Sequence, residues 1–175
     1  MSTITREELF EYLSSKGINP IHSTGIIANA SRESSFRVDA EQVPNEDKGG
    51  KGLFQWEGPR YKGLKKYMKE KHGDENAWKD NWKSQVDYLF DEPVRDSRID
   101  RFFNEQYNTH KEAADGFMTH FERPKDKKDA MLKHEKEIKE SEFYNKAEPM
   151  FGELGMLSEA MKLSDNNINT IREGY

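Results

Sequence analysis

The sequence predicts a mainly α-helical protein, interrupted once, over residues 34–59, by an irregular or β region. Apolar residues recur at helical spacing on both sides of that interval. Within it, Gly49, Gly50, Gly52 and Gly58, with Pro44 and Pro59, supply turns and forbid a long helix. A length of 175 residues suits one domain of ordinary size, and the 11% of residues that are aromatic fall in clusters able to build a core.

Taking the elements in order, Thr5 and Glu8 have capping-box spacing, and Leu9, Phe10 and Leu13 then form an apolar stripe that Gly17 closes. Asn19 and Pro20 fit the cap and first position of a second helix. Its small and aliphatic residues, Ile21, Gly25, Ile26, Ile27, Ala28 and Ala30, suit a helix packed closely in the middle of the domain. That helix runs directly into Glu33. In Gly52-Leu53-Phe54-Gln55-Trp56 a short strand is expected, whose alternation places Gln55 and Glu57 on one face. Beyond Arg60, helices follow from the stripe Tyr61, Leu64 and Met68, and from Trp82, Val86 and Leu89 with Phe90, ended by Pro93. Phe102 and Phe103 open another cluster, and Ala113, Ala114, Phe117, Met118 and Phe121 form a stripe stopped by Pro124. A charged helix is expected over residues 126–146, with Met131, Leu132, Glu135 and Ile138 as its inner face. After Pro149 the composition changes to an apolar stretch, Phe151 to Leu163, broken by Asp165-Asn166-Asn167. The expected division is therefore residues 1–146 as the main domain and 147–175 as a tail that either completes the core or docks on a partner chain.

Composition excludes several classes. Charged residues reach 35%, above the roughly 25% of ordinary globular chains, so a small core under a charged helical surface is expected. The net charge of -5 speaks against a nucleic-acid partner, which calls for a basic face. The lysine runs at 62–71 and 125–139 are interleaved with acids, as solvated helix faces are. No cysteine is present, which suits maturation in a reducing cytoplasm. No run approaches transmembrane length and the first residues lack a hydrophobic signal core, so no membrane insertion is expected and delivery outside the cytoplasm would need another route. His22, His72, His110, His120 and His134 lack metal-ligand spacing, and no phosphate loop, dinucleotide fingerprint or nucleophile elbow occurs. A site without metal or cofactor is expected.

Asn29, Glu33 and Ser34 at a helix end, then Gly52, Gln55 and Trp56, then Arg60, fall in the order N-x-x-x-E-S, G-x-x-Q-W, R. Phe121-Glu122-Arg123-Pro124 adds a later aromatic-E-R-P element. Together these resemble the phage tail lysozyme family, virion-associated wall hydrolases of the lysozyme-like superfamily related to goose-type lysozymes and lytic transglycosylases. The resemblance spans about residues 5–146. It implies a lysozyme-like fold with a small β-hairpin region between the catalytic helix and the following helices. It also implies bacterial peptidoglycan as substrate, with Glu33 as the acid that protonates the glycosidic oxygen. The chemistry agrees, since cleavage through an oxocarbenium-like state needs a proton for the leaving oxygen, and a partly apolar site keeps a carboxyl protonated near neutral pH.

For a second carboxylate, an inverting hydrolase needs one roughly 6.5–9.5 Å from the first. Candidates are Asp39, Glu41, Glu46, Asp47 and Glu57, and Glu57 is chosen for sharing a strand face with Gln55. It departs from the family pattern, in which threonine follows the Q-W pair. Without a second carboxylate, lytic transglycosylase chemistry is expected, with Glu33 as both acid and base. Ser34 and Gln55 are assigned to substrate, Gln55 by hydrogen-bonding the sugar or water near Glu33. Phe54 and Trp56 either stack on sugar faces or fill the core. Arg60 either pairs with an acid of the glycine-rich loop or starts the next helix, and Glu122 and Arg123 brace a helix end. A phage muramidase carried in the tail or baseplate is expected, with residues 147–175 either completing the core or docking on tail or baseplate proteins. The alternatives are an endolysin held in the host cytoplasm until lysis, or a structural tail protein that keeps the fold without the activity.

Overall fold

The computed structural model describes residues 2–44, 48–91, 98–122 and 127–144. Two compact units are distinguished, Met1–Glu140 and Ser141–Tyr175. Of the second, residues 141–144 are described, with 142–144 in a helical turn. The apolar stretch after Pro149, Arg123 and Pro124 of the aromatic-E-R-P element, Pro93, and the candidates Glu46 and Asp47 lie outside the described residues.

The first unit is helical. Helix α1 (Arg6–Ser15) opens with the expected box: Thr5 Oγ1 accepts from Glu8 N at 3.1 Å and Thr5 N donates to Glu8 Oε2 at 2.7 Å. Gly17, at φ +77°, turns the chain out of it. Helix α2 (Pro20–Ser34) starts on Asn19, whose Oδ1 accepts from His22 N at 2.9 Å, with Pro20 at the position that needs no amide hydrogen. Residues 22–30 are all buried, so α2 is the central helix.

Its small residues explain how it fits there. A side chain at Gly25 would meet the Ala113 carbonyl oxygen at 2.6 Å, so α2 and α6 (His110–Phe117) pack backbone to backbone. Asn29 Nδ2 ties them, donating to Gly25 O at 2.9 Å and to Ala114 O at 3.0 Å. Around this pair lie α3 (Gly58–His72), α4 (Trp82–Asp91), α5 (Arg98–Asn104) and α7 (Lys127–Glu140). A 3₁₀ turn, Ala77–Lys79, precedes α4, and a π turn, Met118–Glu122, extends α6. The inner face of α7 differs from the expected one: Ala130 and His134 are buried while Leu132 is 57% exposed. The helix is rotated because His134 Nδ1 reaches Asp115 Oδ1 of α6 at 3.2 Å, a polar anchor that hydrophobic spacing does not register.

No strand forms among the described residues, and the expected β-hairpin is replaced by isolated bridges, Thr3 with Arg37, Glu41 with Lys51, and Lys51 with Trp56. The run from Gly50 to Trp56 is a tight turn in which Lys51 and Trp56 exchange backbone hydrogen bonds at 3.1 and 3.0 Å. Two left-handed residues, Gly52 at φ +73° and Gln55 at φ +49°, prevent the extended backbone that alternation requires. Leu53, Phe54 and Trp56 are consequently buried together rather than on opposite faces.

Candidate active site

Three segments carry the expected site residues: the last turn of α2, the tight turn 50–56, and the start of α3. Glu33 lies one residue before the end of α2. Beyond it Ser35 and Phe36 are both left-handed, at φ 52° and 61°, so the chain turns sharply away and leaves Glu33 on the helix end. Two consecutive non-glycine residues in that region carry backbone strain, of order 1–3 kcal/mol each. Pairing with the N-terminal segment holds them, through Ile4 N to Phe36 O at 3.1 Å and Val38 N to Ser2 O at 2.8 Å.

The Glu33 side chain is 16% exposed and forms an ion pair with Arg32. Burial raises its pKa above the ordinary carboxylate value; the Arg32 guanidinium opposes this, the Glu57 carboxylate adds to it, and Lys133 opposes it. Glu57 is therefore near enough for its charge to bear on Glu33. It caps α3 with extended backbone, φ -127° and ψ 157°, but its carboxylate makes no capping hydrogen bond and is exposed. The resulting site holds one half-buried carboxyl group, whose pKa burial raises, and one exposed side chain, Glu57, a pair whose environments differ.

Burial also makes a stability prediction. The folded state holds the Glu33 proton more tightly than the unfolded chain, so this group favours folding most at acid pH. That contribution is lost as pH rises from the unfolded value, about 4.3, through the raised one. Glu33→Gln abolishes the titration. The Tm difference, variant minus wild type, should therefore increase from about pH 4 to about pH 7 in thermal unfolding followed by circular dichroism. A difference that stays flat or falls contradicts a desolvated Glu33.

The other expected site residues divide. Gln55 is half-buried in the turn, and its Nε2 donates to Gly52 O at 2.8 Å, so the side chain is folded onto its own turn over Gly50. Ser34, expected at substrate, is buried with its hydroxyl donating to Ala30 O at 3.0 Å; the helix takes up that donor. Phe54 and Trp56 are 1% and 0% exposed, which corrects the sugar-stacking option in favour of the core. They stack edge-on at 5.1 Å, Phe54 against Phe117 and Phe121, Trp56 against Tyr88. Arg60 lies in the first turn of α3 with its guanidinium 4.0 Å from the centre of the Phe121 ring, a cation–π contact joining α3 to the π turn. Of the other carboxylate candidates, Glu41 bridges Lys51 and Lys79 at 3.1 and 2.7 Å, and Asp39 faces Arg37 at 3.9 Å. Both are engaged in holding the loop.

Sequence reasoning missed Gln85. From α4 its Oε1 accepts from Leu53 N at 2.7 Å, and its Nε2 donates to Val38 O at 2.8 Å and Trp78 O at 2.7 Å. It is fully buried, and Gly52 is glycine in part because a side chain there would strike Gln85. No local pattern marks a residue whose three partners lie in separate segments 7, 32 and 47 residues away. Arg32 was missed too, although its place beside Glu33 was a signal. Among the described residues no group of three or more His, Asp and Glu side chains is arranged to hold a metal ion, and no helix is long and apolar enough to cross a membrane.

Comparison with curated proteins and with solved structures yields no significant match. A model of phage tail lysozymes matches residues 5–148, most of the chain, so this protein belongs to the phage tail lysozyme family, whose lysozyme-type activity is directed at peptidoglycan.

Proposed function

We propose that the protein is a muramidase that cleaves the glycan strand of bacterial peptidoglycan with Glu33 as general acid. The observation that carries this reading is the half-buried Glu33 at the strained end of α2, its pKa raised by burial. In the proposed step Glu33 gives its proton to the glycosidic oxygen as the bond from that oxygen to the anomeric carbon breaks. Glu57 takes a proton from a water that adds to the same carbon, which gives inversion and a reducing end. In this reading Gln55, on the turn that leads into Glu57, orients sugar or water once its amide leaves Gly52 O. Arg60, which the cation–π contact fixes at the head of α3, supports that wall of the site.

A second reading, lytic transglycosylation, is favoured by one observation. Glu57 is exposed and without a hydrogen-bonding partner among the described residues, so nothing but its charge ties it to Glu33. There the deprotonated Glu33 would act as base while the sugar's 6-hydroxyl closes onto the anomeric carbon, leaving a 1,6-anhydro end. Glu57→Gln separates the two. Hydrolysis through Glu57 expects a loss of about 100-fold or more in glycan cleavage and only reducing ends in the wild-type products, read by mass spectrometry. Anhydro ends with Glu57→Gln near wild-type rate would overturn Glu57 as a catalytic base.

Delivery within the phage tail or baseplate accords with the family and with the net charge of -5, since a freely diffusing wall enzyme gains from a basic surface. Residues 147–175 are proposed as the segment that docks on tail proteins. An endolysin acting at lysis is the alternative placement. A desolvated acid at Glu33 speaks against an inactive structural role, because such a site costs stability that a scaffold has no use for.

A further inference from the structure

Next to Arg32, the neighbour of Glu33, a cleft of about 460 Å³ runs between the end of α2 and α7. Ser31, Arg32 and Ser35 form one wall, and Lys133 and Lys136 face them from α7, with Glu137 and Glu140 further along that helix. The lining brings together two serine hydroxyls, the Arg32 guanidinium, whose buried Nε has no hydrogen-bond partner among the described residues, and two ammonium groups, of which Lys133 is paired with Asp129 at 2.6 Å. Lys133 reaches near enough for its charge to act on Glu33, which joins the cleft to the reacting centre. Glu137 is neutralised by Arg6 through bonds of 2.9 and 2.5 Å, while Glu140 makes no ion pair among the described residues.

Such a lining suits neither a neutral sugar nor an apolar chain. A sugar has no charge to repay the desolvation of three cations, whereas a carboxylate accepts from all of them in charge-assisted hydrogen bonds. Resting on the peptidoglycan reading above, we propose that this cleft is a subsite for the stem peptide of the wall glycan, with a peptide carboxylate held by Arg32, Lys133 and Lys136. An ammonium further along the same peptide would face Glu140. The glycan strand at Glu33 and its peptide branch would then occupy adjoining parts of one surface. Engaging Arg32 also draws its guanidinium from Glu33, so a peptide-bearing strand withdraws the stronger of the two cations that oppose protonation of the acid. Arg32 is thereby a specificity-determining residue and Lys133 and Lys136 are binding residues.

The test uses the full chain carrying Glu33→Gln, so that binding is read without turnover. Three probes are titrated by NMR: a muramoyl tetrasaccharide with its stem peptides, the same tetrasaccharide bearing only lactyl carboxylates, and a neutral N-acetylglucosamine tetramer. The peptide-bearing probe should bind about tenfold or more tightly than the other two, and adding Lys133→Gln with Lys136→Gln should erase that advantage. Both lysines are exposed, so the fold should survive their loss. Equal binding of the peptide-bearing and lactyl-only probes would overturn the stem-peptide assignment, as would a peptide preference that survives removal of both lysines. Failure of catalysis is separate: a wild-type protein that binds selectively but releases no fragments would sink the muramidase reading and leave the subsite standing.

Discussion

Glu33→Gln should lower the rate of glycan cleavage by about a thousandfold, within the range typical of a lost general acid. The amide matches the carboxyl in shape, so the packing of α2 against α6 through Gly25 and Asn29 should be unchanged. What disappears is the dissociable proton. An amide cannot give it to a leaving oxygen, and no other described group in the site is buried in the same way: Glu57 is exposed, and Glu41 is bound to two lysines. Glu33→Asp should retain more activity than Gln but less than wild type, because a shorter acid withdraws the proton by about one bond length. Steady-state release of soluble fragments, with circular dichroism as the check on folding, reads both variants. A Gln variant within tenfold of wild type would show that the proton comes from elsewhere.

The largest stability effect should come from a residue remote from chemistry. Gln85→Ala removes three hydrogen bonds at once and leaves the Leu53 amide and the Val38 and Trp78 carbonyls unpaired in the interior. Each buried polar group left unmet costs about 1–3 kcal/mol, so a loss of about 3 kcal/mol or more is expected. For a chain of this size that lowers Tm by about 6 °C or more. Activity should fall as well, because the clamped turn carries Gln55 and leads into Glu57. Gln85→Glu, which keeps the volume and the acceptor but loses two donors, should be intermediate. A Gln85→Ala protein whose Tm lies within about 2 °C of wild type would contradict the clamp.

The parts of this fold that were legible in the sequence are those whose cause is local. Thr5 and Glu8, or Asn19 and Pro20, cap their helices through partners three residues away or less, so spacing alone reveals them. The small residues of α2 foretold close packing for the same reason: a missing side chain can be read without knowing what approaches it. Glu33 at a helix end was legible as part of an ordered set of motifs. The turn 50–56 was not, because alternation in Leu53 to Trp56 imitates a strand while the left-handed backbone at Gln55, a non-glycine residue, is imposed by tertiary contacts. The same limit explains Phe54 and Trp56. An aromatic run reads alike whether it faces sugar or core, and only the arrival of Phe117, Phe121 and Tyr88 decides for the core. Gln85 and the rotation of α7 about His134 share this origin, since buried polar anchors satisfy partners far away in sequence.

The most direct measurement is to incubate purified peptidoglycan with wild type and Glu33→Gln side by side and to identify the released ends by mass spectrometry. If Glu33 is the acid that cleaves the strand, wild type releases muropeptides with newly formed reducing ends and the folded variant releases about a thousandfold fewer. Equal release by the two proteins, or none by a folded wild type across several wall types, would contradict it.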